Sequence, residues 1–199
     1  IKHQPIESPN SKGAVLIRMA LEVFLFRSLF RNTRTELHKN GKLAYGSNEW
    51  LWLAGLVFHY SFLVIFLRHF RLFIHPVPEW VNCLGHLDGF LQIGVPVLYL
   101  TDITLVAAAT FLFIRRVWSP QLRFISLVND YFPLFLILGI ALSGISMRYW
   151  TKVDVVRVKQ LTVSLLTFNP ITDSAHMAGI DSMFFVHLFL VCLLIAYLP

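Results

Sequence analysis

Charge is scarce in this sequence. Asp, Glu, Lys and Arg supply 14% of its 199 residues while hydrophobic types supply 56%, and the mean hydropathy is +0.65. A soluble domain carries roughly a quarter of its residues as charges. The balance here excludes an ordinary water-facing surface and points to an integral membrane protein. Cysteine is nearly missing as well: Cys83 and Cys192 lie far apart, and no CxxC or CxxCH occurs. That argues against an intrinsic iron–sulfur cluster and a covalently attached c-type haem. No cleavable signal pattern stands at the visible start, and no internal repeat or low-complexity tract divides the chain. The sequence opens on Ile1 and stops within the apolar run "LLIAYLP", which we read as a piece of a longer polypeptide, truncated at both ends.

What is present is a series of long apolar runs. The fold expected is an all-α integral membrane protein, a transmembrane helix bundle with a cytoplasmic-side amphipathic helix. Residues 1–49 read as a cytoplasmic linker, that amphipathic helix and a basic loop; residues 50–199 read as the bundle. In residues 13–31, Val15, Leu16, Met19, Ala20, Val23 and Phe24 recur at a helical period while Arg18, Glu22 and Arg31 fall elsewhere, as in a helix lying in the interface. The basic loop is "NTRTELHKNGKLAYGSNE".

Four spans are expected, at about 50–73, 87–114, 131–150 and 181–199. The first covers roughly 36 Å at helical rise, opens on Trp50 and Trp52 as interfacial anchors, and ends at "HPVP". Gly94 and Pro96 suggest a bend in the second. Pro133 is expected in the first turn of the third, where its missing N–H is harmless. Eleven Lys and Arg residues lie in segments 1–49 and 115–123, against six in 68–86 and 148–160, which favours the first side as cytoplasmic.

Three of the eight histidines fall within expected spans: His59, His69 and His187. An ionisable group there is costly and is by default a functional hypothesis. Each could instead satisfy itself by a hydrogen bond to a neighbouring helix, but three in one small bundle favour a shared cofactor. His59 and His69 are about 15 Å apart along the axis and roughly 80° apart around it. They cannot ligate one iron, but they could hold two haems at two depths, each completed from a facing helix. His69 and His187 both lie near the outer ends of their spans and could clamp one haem. His59 sits deeper, and its partner is expected beyond Pro199.

The other polar residues carry weaker signals. Arg68, Arg71 and Arg148 on the outer side, and Arg115 and Arg116 on the inner, could pair with haem propionates or simply anchor helix ends. His75, His86 and Asp88, with Arg71, are candidate lining for a quinone pocket near the outer haem, though His75, His86 and His176 also read as plain loop histidines. His3 and His38 read as solvated. Asp102, in "YLTDITL", could move protons or be paired with a neighbouring helix; the structural role ranks higher.

At these residues a family resemblance enters. "LVFHYSFLVIFLRHF", "IRRVWSPQLR" and "FFVHLFLVCLLIAYLP" resemble the membrane cytochrome b, or gamma, subunits of respiratory nitrate reductases. "RMALEVFLFRSLFRNTRTEL", "IGVPVLYLTD" and "DYFPLFLILGIALSGISMRYWTKVDVVRVKQL" look closer still to the M subunits of Dsr membrane complexes (DsrMKJOP) of sulfur-metabolising prokaryotes. The resemblance covers nearly the whole chain.

It implies a multi-pass protein of the cytoplasmic membrane holding two b-type haems, with His69 paired to His187 and His59 paired to a histidine shortly after "YLP". It also implies a transmembrane helix upstream of residue 1 and menaquinone as substrate. The implied partners are a K-type, heterodisulfide-reductase-like iron–sulfur subunit and J, O and P subunits, and no nucleic acid. Electrons would then pass between menaquinol and the iron–sulfur subunit in dissimilatory sulfur metabolism. The competing readings are a quinol-oxidising nitrate reductase gamma-like subunit, a haem-free membrane anchor for a cytoplasmic partner, and a transporter. Asp102 is the transporter's best support, and the lack of a broken-helix repeat counts against it.

Overall fold

The computed structural model describes residues 8–30, 34–37, 43–46, 48–89, 97–169, 171 and 179–198. His3, His38 and His176, and the expected bend at Gly94 and Pro96, lie outside the described residues. The chain divides into two units, residues 1–57 and 58–199, each taken by itself.

In the first unit, α1 (Lys12–Leu25) starts where the Ser11 side chain accepts the Ala14 amide, one of the donors a helix start leaves unpaired. None of its residues is buried; Leu16, Ile17, Met19, Val23 and Phe24 are exposed. The expected helix over 13–31 is shorter than the pattern suggested. Phe26 takes a left-handed conformation, φ 46°, and closes α1 before the short α2 (Arg27–Phe30).

Glu22 stabilises this corner, its carboxylate accepting the Ser28 hydroxyl at 2.6 Å and the Ser28 amide at 2.8 Å. Those bonds hold Glu22 below the usual carboxylate range. The Trp52 indole donates to the Leu25 carbonyl at 2.6 Å, and its ring packs edge-on against Phe30. Trp50 is 72% exposed, so of the two expected anchors only Trp50 presents its ring outward.

The basic loop is in part a ribbon. β1 (Arg34–Leu37) and β2 (Leu43–Gly46) pair antiparallel with Thr35 opposite Tyr45 and Glu36 opposite Ala44. The sequence did carry a hairpin signal, Asn40-Gly41 between two short apolar-polar stretches, but the density of charge masked it.

α3 (Glu49–His69) continues into a 3₁₀ turn (Phe70–Leu72) and matches the first expected span. In the second unit it is followed by α4 (Glu79–Asp88), α5 (Leu100–Trp118), α6 (Pro120–Ile125), α7 (Val128–Tyr149), α8 (Val155–Leu166) and α9 (Ser182–Tyr197). The second expected span, 87–114, is corrected: α4 is a separate helix ending at Asp88, and α5 starts only at Leu100. Among the described residues, Glu49–Leu72 and Val128–Tyr149 are long and apolar enough to cross a membrane by themselves. α9 is apolar but shorter.

α7 packs against both α5 and α9. Small residues on α7 allow the approach to α9: a Cβ on Gly139 would sit 3.4 Å from Leu190, and one on Gly144 the same distance from His187. Close backbone approach at small residues is how apolar helices gain contact in a membrane. α8 was not anticipated, yet Asp154 caps it by accepting the Val156 amide. Its buried Val158 and Leu161 join Ile180 and Phe184 in the main core, against Leu72, Met147, Val153 and Leu188.

Pro133 also departs from expectation. α7 begins at Val128, so Pro133 is inside the helix, and its missing N–H leaves the Asn129 carbonyl without its i+4 donor. The Tyr197 hydroxyl, from α9, donates to that carbonyl at 3.0 Å, and its ring lies 5.0 Å from Phe132. Tyr197→Phe should cost about 1 kcal/mol in thermal unfolding. In a Pro133→Ala background, where the helix supplies its own donor, the same change should cost much less; equal costs in both would refute the coupling.

Candidate functional site

His69, the last residue of α3, and His187, in the second turn of α9, face each other with ring centroids 6.4 Å apart and planes within 7° of parallel. His69 Nδ1 lies 2.7 Å from the Ile65 carbonyl. A carbonyl only accepts, so Nδ1 carries the proton and Nε2 is left with a lone pair. His187 Nδ1 lies 2.9 Å from the Ser143 hydroxyl. That hydroxyl donates its one proton to the Ile140 carbonyl at 2.9 Å, so it accepts from His187, whose Nε2 is likewise left as the lone-pair nitrogen.

Both rings thus have the tautomer a metal requires, fixed by an outer hydrogen bond. Two imidazoles bound through one nitrogen each on opposite sides of one metal, at roughly 2 Å per bond, set their centres about 6 Å apart. The observed centroid separation of 6.4 Å matches that spacing. Among the described residues no group of three or more His, Cys, Asp or Glu gathers as a metal cage. Ser143→Ala removes the acceptor that orients His187 and should weaken metal affinity roughly 10- to 100-fold, measured as haem retained on dilution; unchanged retention would show that Ser143 does not orient the ring.

His59 lies on the exposed side of α3 with its ring edge-on to Phe58. The partner expected for it lies beyond the described residues.

Next to His69, Arg68 enters a buried polar cluster. Its Nη1 pairs with Asp88 and lies 3.3 Å from the Thr101 hydroxyl, and its Nη2 is 3.7 Å from Asp102. Asp88 is 6% exposed, and such a charge is tolerated only when paired and hydrogen-bonded. The Tyr99 ring holds the Arg68 guanidinium carbon 3.5 Å from its centroid and that of Arg148 at 3.9 Å, both within cation–π range. Arg148 donates from Nε and Nη2 to the Val97 carbonyl.

Beside the cluster lies a cavity of about 410 Å³, within the size range of small-molecule sites. Arg68, Arg71, Asn82, His86, Val97 and Tyr99 are among the residues lining it. Two of the four expected pocket residues, Arg71 and His86, line it directly. Asp88 acts from behind the wall through Arg68, and His75, exposed after the 3₁₀ turn, is not among its lining. Gly89 is required by close approach: a Cβ there would sit 2.8 Å from Val97.

Of the other expected propionate partners, Arg116 lies 3.5 Å from Asp130, and Arg115 is half-buried in the last turn of α5. Tyr99, Thr101, Ser143 and Tyr149 were missed from sequence. A hydroxyl inside an apolar run was the available signal, because it must find a partner there.

The family profile described as nitrate reductase gamma subunit matches residues 16–199. The chain belongs to the nitrate reductase gamma subunit family. Two curated relatives carry the name "Hdr-like menaquinol oxidoreductase cytochrome b-like subunit". The one from Archaeoglobus fulgidus is 40% identical over 97% of this chain and 57% of its own length. The one from Archaeoglobus profundus is 42% identical over 98% of this chain and 57% of its own length. This gamma-family chain therefore spans less than three fifths of the relatives it matches. No solved structure matches it.

Proposed function

We propose that this chain is the haem-carrying part of a membrane cytochrome b that passes electrons between menaquinol and a heterodisulfide-reductase-like iron–sulfur subunit on the cytoplasmic side. His69 and His187 would hold one haem b, and His59 with a histidine beyond Pro199 would hold a second. The single observation that carries the reading is the parallel His69–His187 pair with both Nδ1 atoms engaged and both Nε2 atoms left for metal. Family membership and the relatives' names, cytochrome b-like and menaquinol oxidoreductase, support it.

The bound haem supplies one-electron chemistry, and the chain's own residues do the rest. α3 and α9 fix the ligands, and Ile65 and Ser143 fix their tautomers. The cavity lined by Arg71, Asn82 and His86 takes the quinone head, whose two carbonyls suit cationic and amide donors. In the finer reading the protein is multi-pass in the cytoplasmic membrane, with a K-type iron–sulfur subunit and J, O and P subunits as partners in dissimilatory sulfur metabolism. The "Hdr-like" element of the relatives' names supports that choice over a nitrate-reducing complex.

The test is optical. Membranes holding the full-length protein should show a b-type alpha band on addition of a menaquinol analogue. No such band with dithionite either would sink the haem assignment, and a band that dithionite but not quinol produces would sink the quinone link.

A further inference from the structure

The two carboxylates beside the cavity are held very differently. Asp88 Oδ1 accepts the Thr101 amide at 2.9 Å, and Oδ2 accepts the Thr101 hydroxyl at 2.6 Å as well as Arg68. It is a fixed anion and the counter-charge of Arg68. Asp102 has no such clamp. Arg68 stands 3.7 Å from its Oδ1, beyond hydrogen-bond range. The Tyr149 hydroxyl is 3.4 Å from its Oδ2 and also 3.3 Å from the Val97 carbonyl, so one proton is shared between two acceptors. Arg148, the other nearby cation, donates from Nε and Nη2 to the Val97 carbonyl.

The groups around Asp102 are therefore Arg68 from α3, Asp88 from α4, Tyr99 from the stretch before α5, and Arg148 and Tyr149 from α7. Its side chain is 12% exposed, in a setting where an uncompensated charge is expensive.

We propose that Asp102 is a redox-linked proton acceptor, taking up one proton when an electron reaches the His69–His187 site and releasing it when the electron leaves. The inference rests on the haem and quinol reading above. Arg68, adjacent to His69 in α3 and nearest to Asp102 among the cations, is the electrostatic link. The balance is simple: one quinol O–H bond breaks, its proton forms an O–H bond on Asp102, one electron would pass to the haem that His69 and His187 would hold, and the neutral one-electron-oxidised quinone ring keeps its second O–H, so the buried region keeps its net charge. Tyr149 provides the approach, because its hydroxyl accepts the Tyr99 amide at 3.2 Å and donates toward the Val97 carbonyl, both from residues that line the cavity.

The experiment is a redox titration of the b-type band against pH, on the full-length protein in its own membranes. The wild-type midpoint potential should fall as pH rises. Asp102→Asn should keep its haem and lose the pH dependence, and Asp102→Glu should restore it. A flat wild-type potential, or an Asn variant with the wild-type slope, overturns the proposal while leaving the haem assignment standing. Absence of any b-type band in the wild type overturns that assignment and this proposal together. An infrared reduced-minus-oxidised difference spectrum of wild-type protein with ¹³C-aspartate needs no variant to fold. A protonated carboxyl band that moves with the label is expected, and its absence overturns the proposal.

Discussion

His187→Ala should strip one haem from the protein and leave the other in place. The imidazole is one of a pair with parallel planes and ring centroids 6.4 Å apart, and its neighbours Phe184, Phe185, Leu188 and Leu190 carry no ligating atom. Loss of one axial ligand also leaves the Ser143 hydroxyl facing a methyl group. On the proposed two-haem reading, haem per protein, read from the reduced alpha band against protein mass, should fall by about half. His69→Ala should lose the same haem, and the double variant should lose no more than either single one. A full complement in His187→Ala would show the pair to be wrongly assigned, and loss of both haems in every variant would point to collapse of the bundle.

The second large effect is on stability. Asp88→Ala leaves the Arg68 guanidinium, only 11% exposed, without its closest counter-charge. Breaking a buried ion pair from one side costs about 3–5 kcal/mol, whereas replacing both partners by apolar groups is often neutral. The lower part of that range is expected, since Asp102 remains within 3.7 Å of the same guanidinium. Thermal unfolding in detergent should show the loss, and Arg68→Met in the Asp88→Ala background should recover most of it. If the double variant is as unstable as the single one, the cost comes from lost packing against Tyr99 and Thr101 or from Asp102 left without Arg68, not from the orphaned guanidinium.

The sequence made α3, α7 and α9 legible because each is a long apolar run bounded by polar residues, and periodicity with length is enough to find such elements. It made the His69–His187 pair legible because imidazole is costly in that setting and both residues are expected near the outer ends of their spans. It did not make α8 legible. Val155–Leu166 mixes Arg157, Lys159 and Gln160 with its apolar residues, and only the burial of Val158 and Leu161 against Phe184 reveals its inner face.

The split between α4 and α5 was hidden for the opposite reason: hydrophobic residues continue through 90–99, so composition could not say where one helix stops. Pro133 lies deeper in its helix than the apolar run alone indicates because α7 starts three residues before that run, at Val128, and its remedy, Tyr197, comes from another helix altogether. Long-range partners of this kind, like Thr101 for Asp88, carry no local pattern.

The parallel setting of the two imidazole planes has a magnetic consequence. Rings aligned within 7° direct their π orbitals along one axis, so a ferric ion between them would feel a field that separates its two π-symmetry d orbitals. Crossed rings would leave those orbitals nearly equal in energy and give a broad, strongly anisotropic resonance. The oxidised His69–His187 centre should instead give a rhombic low-spin signal with modest g spread, and the spectrum lost in His187→Ala identifies which resonance belongs to it.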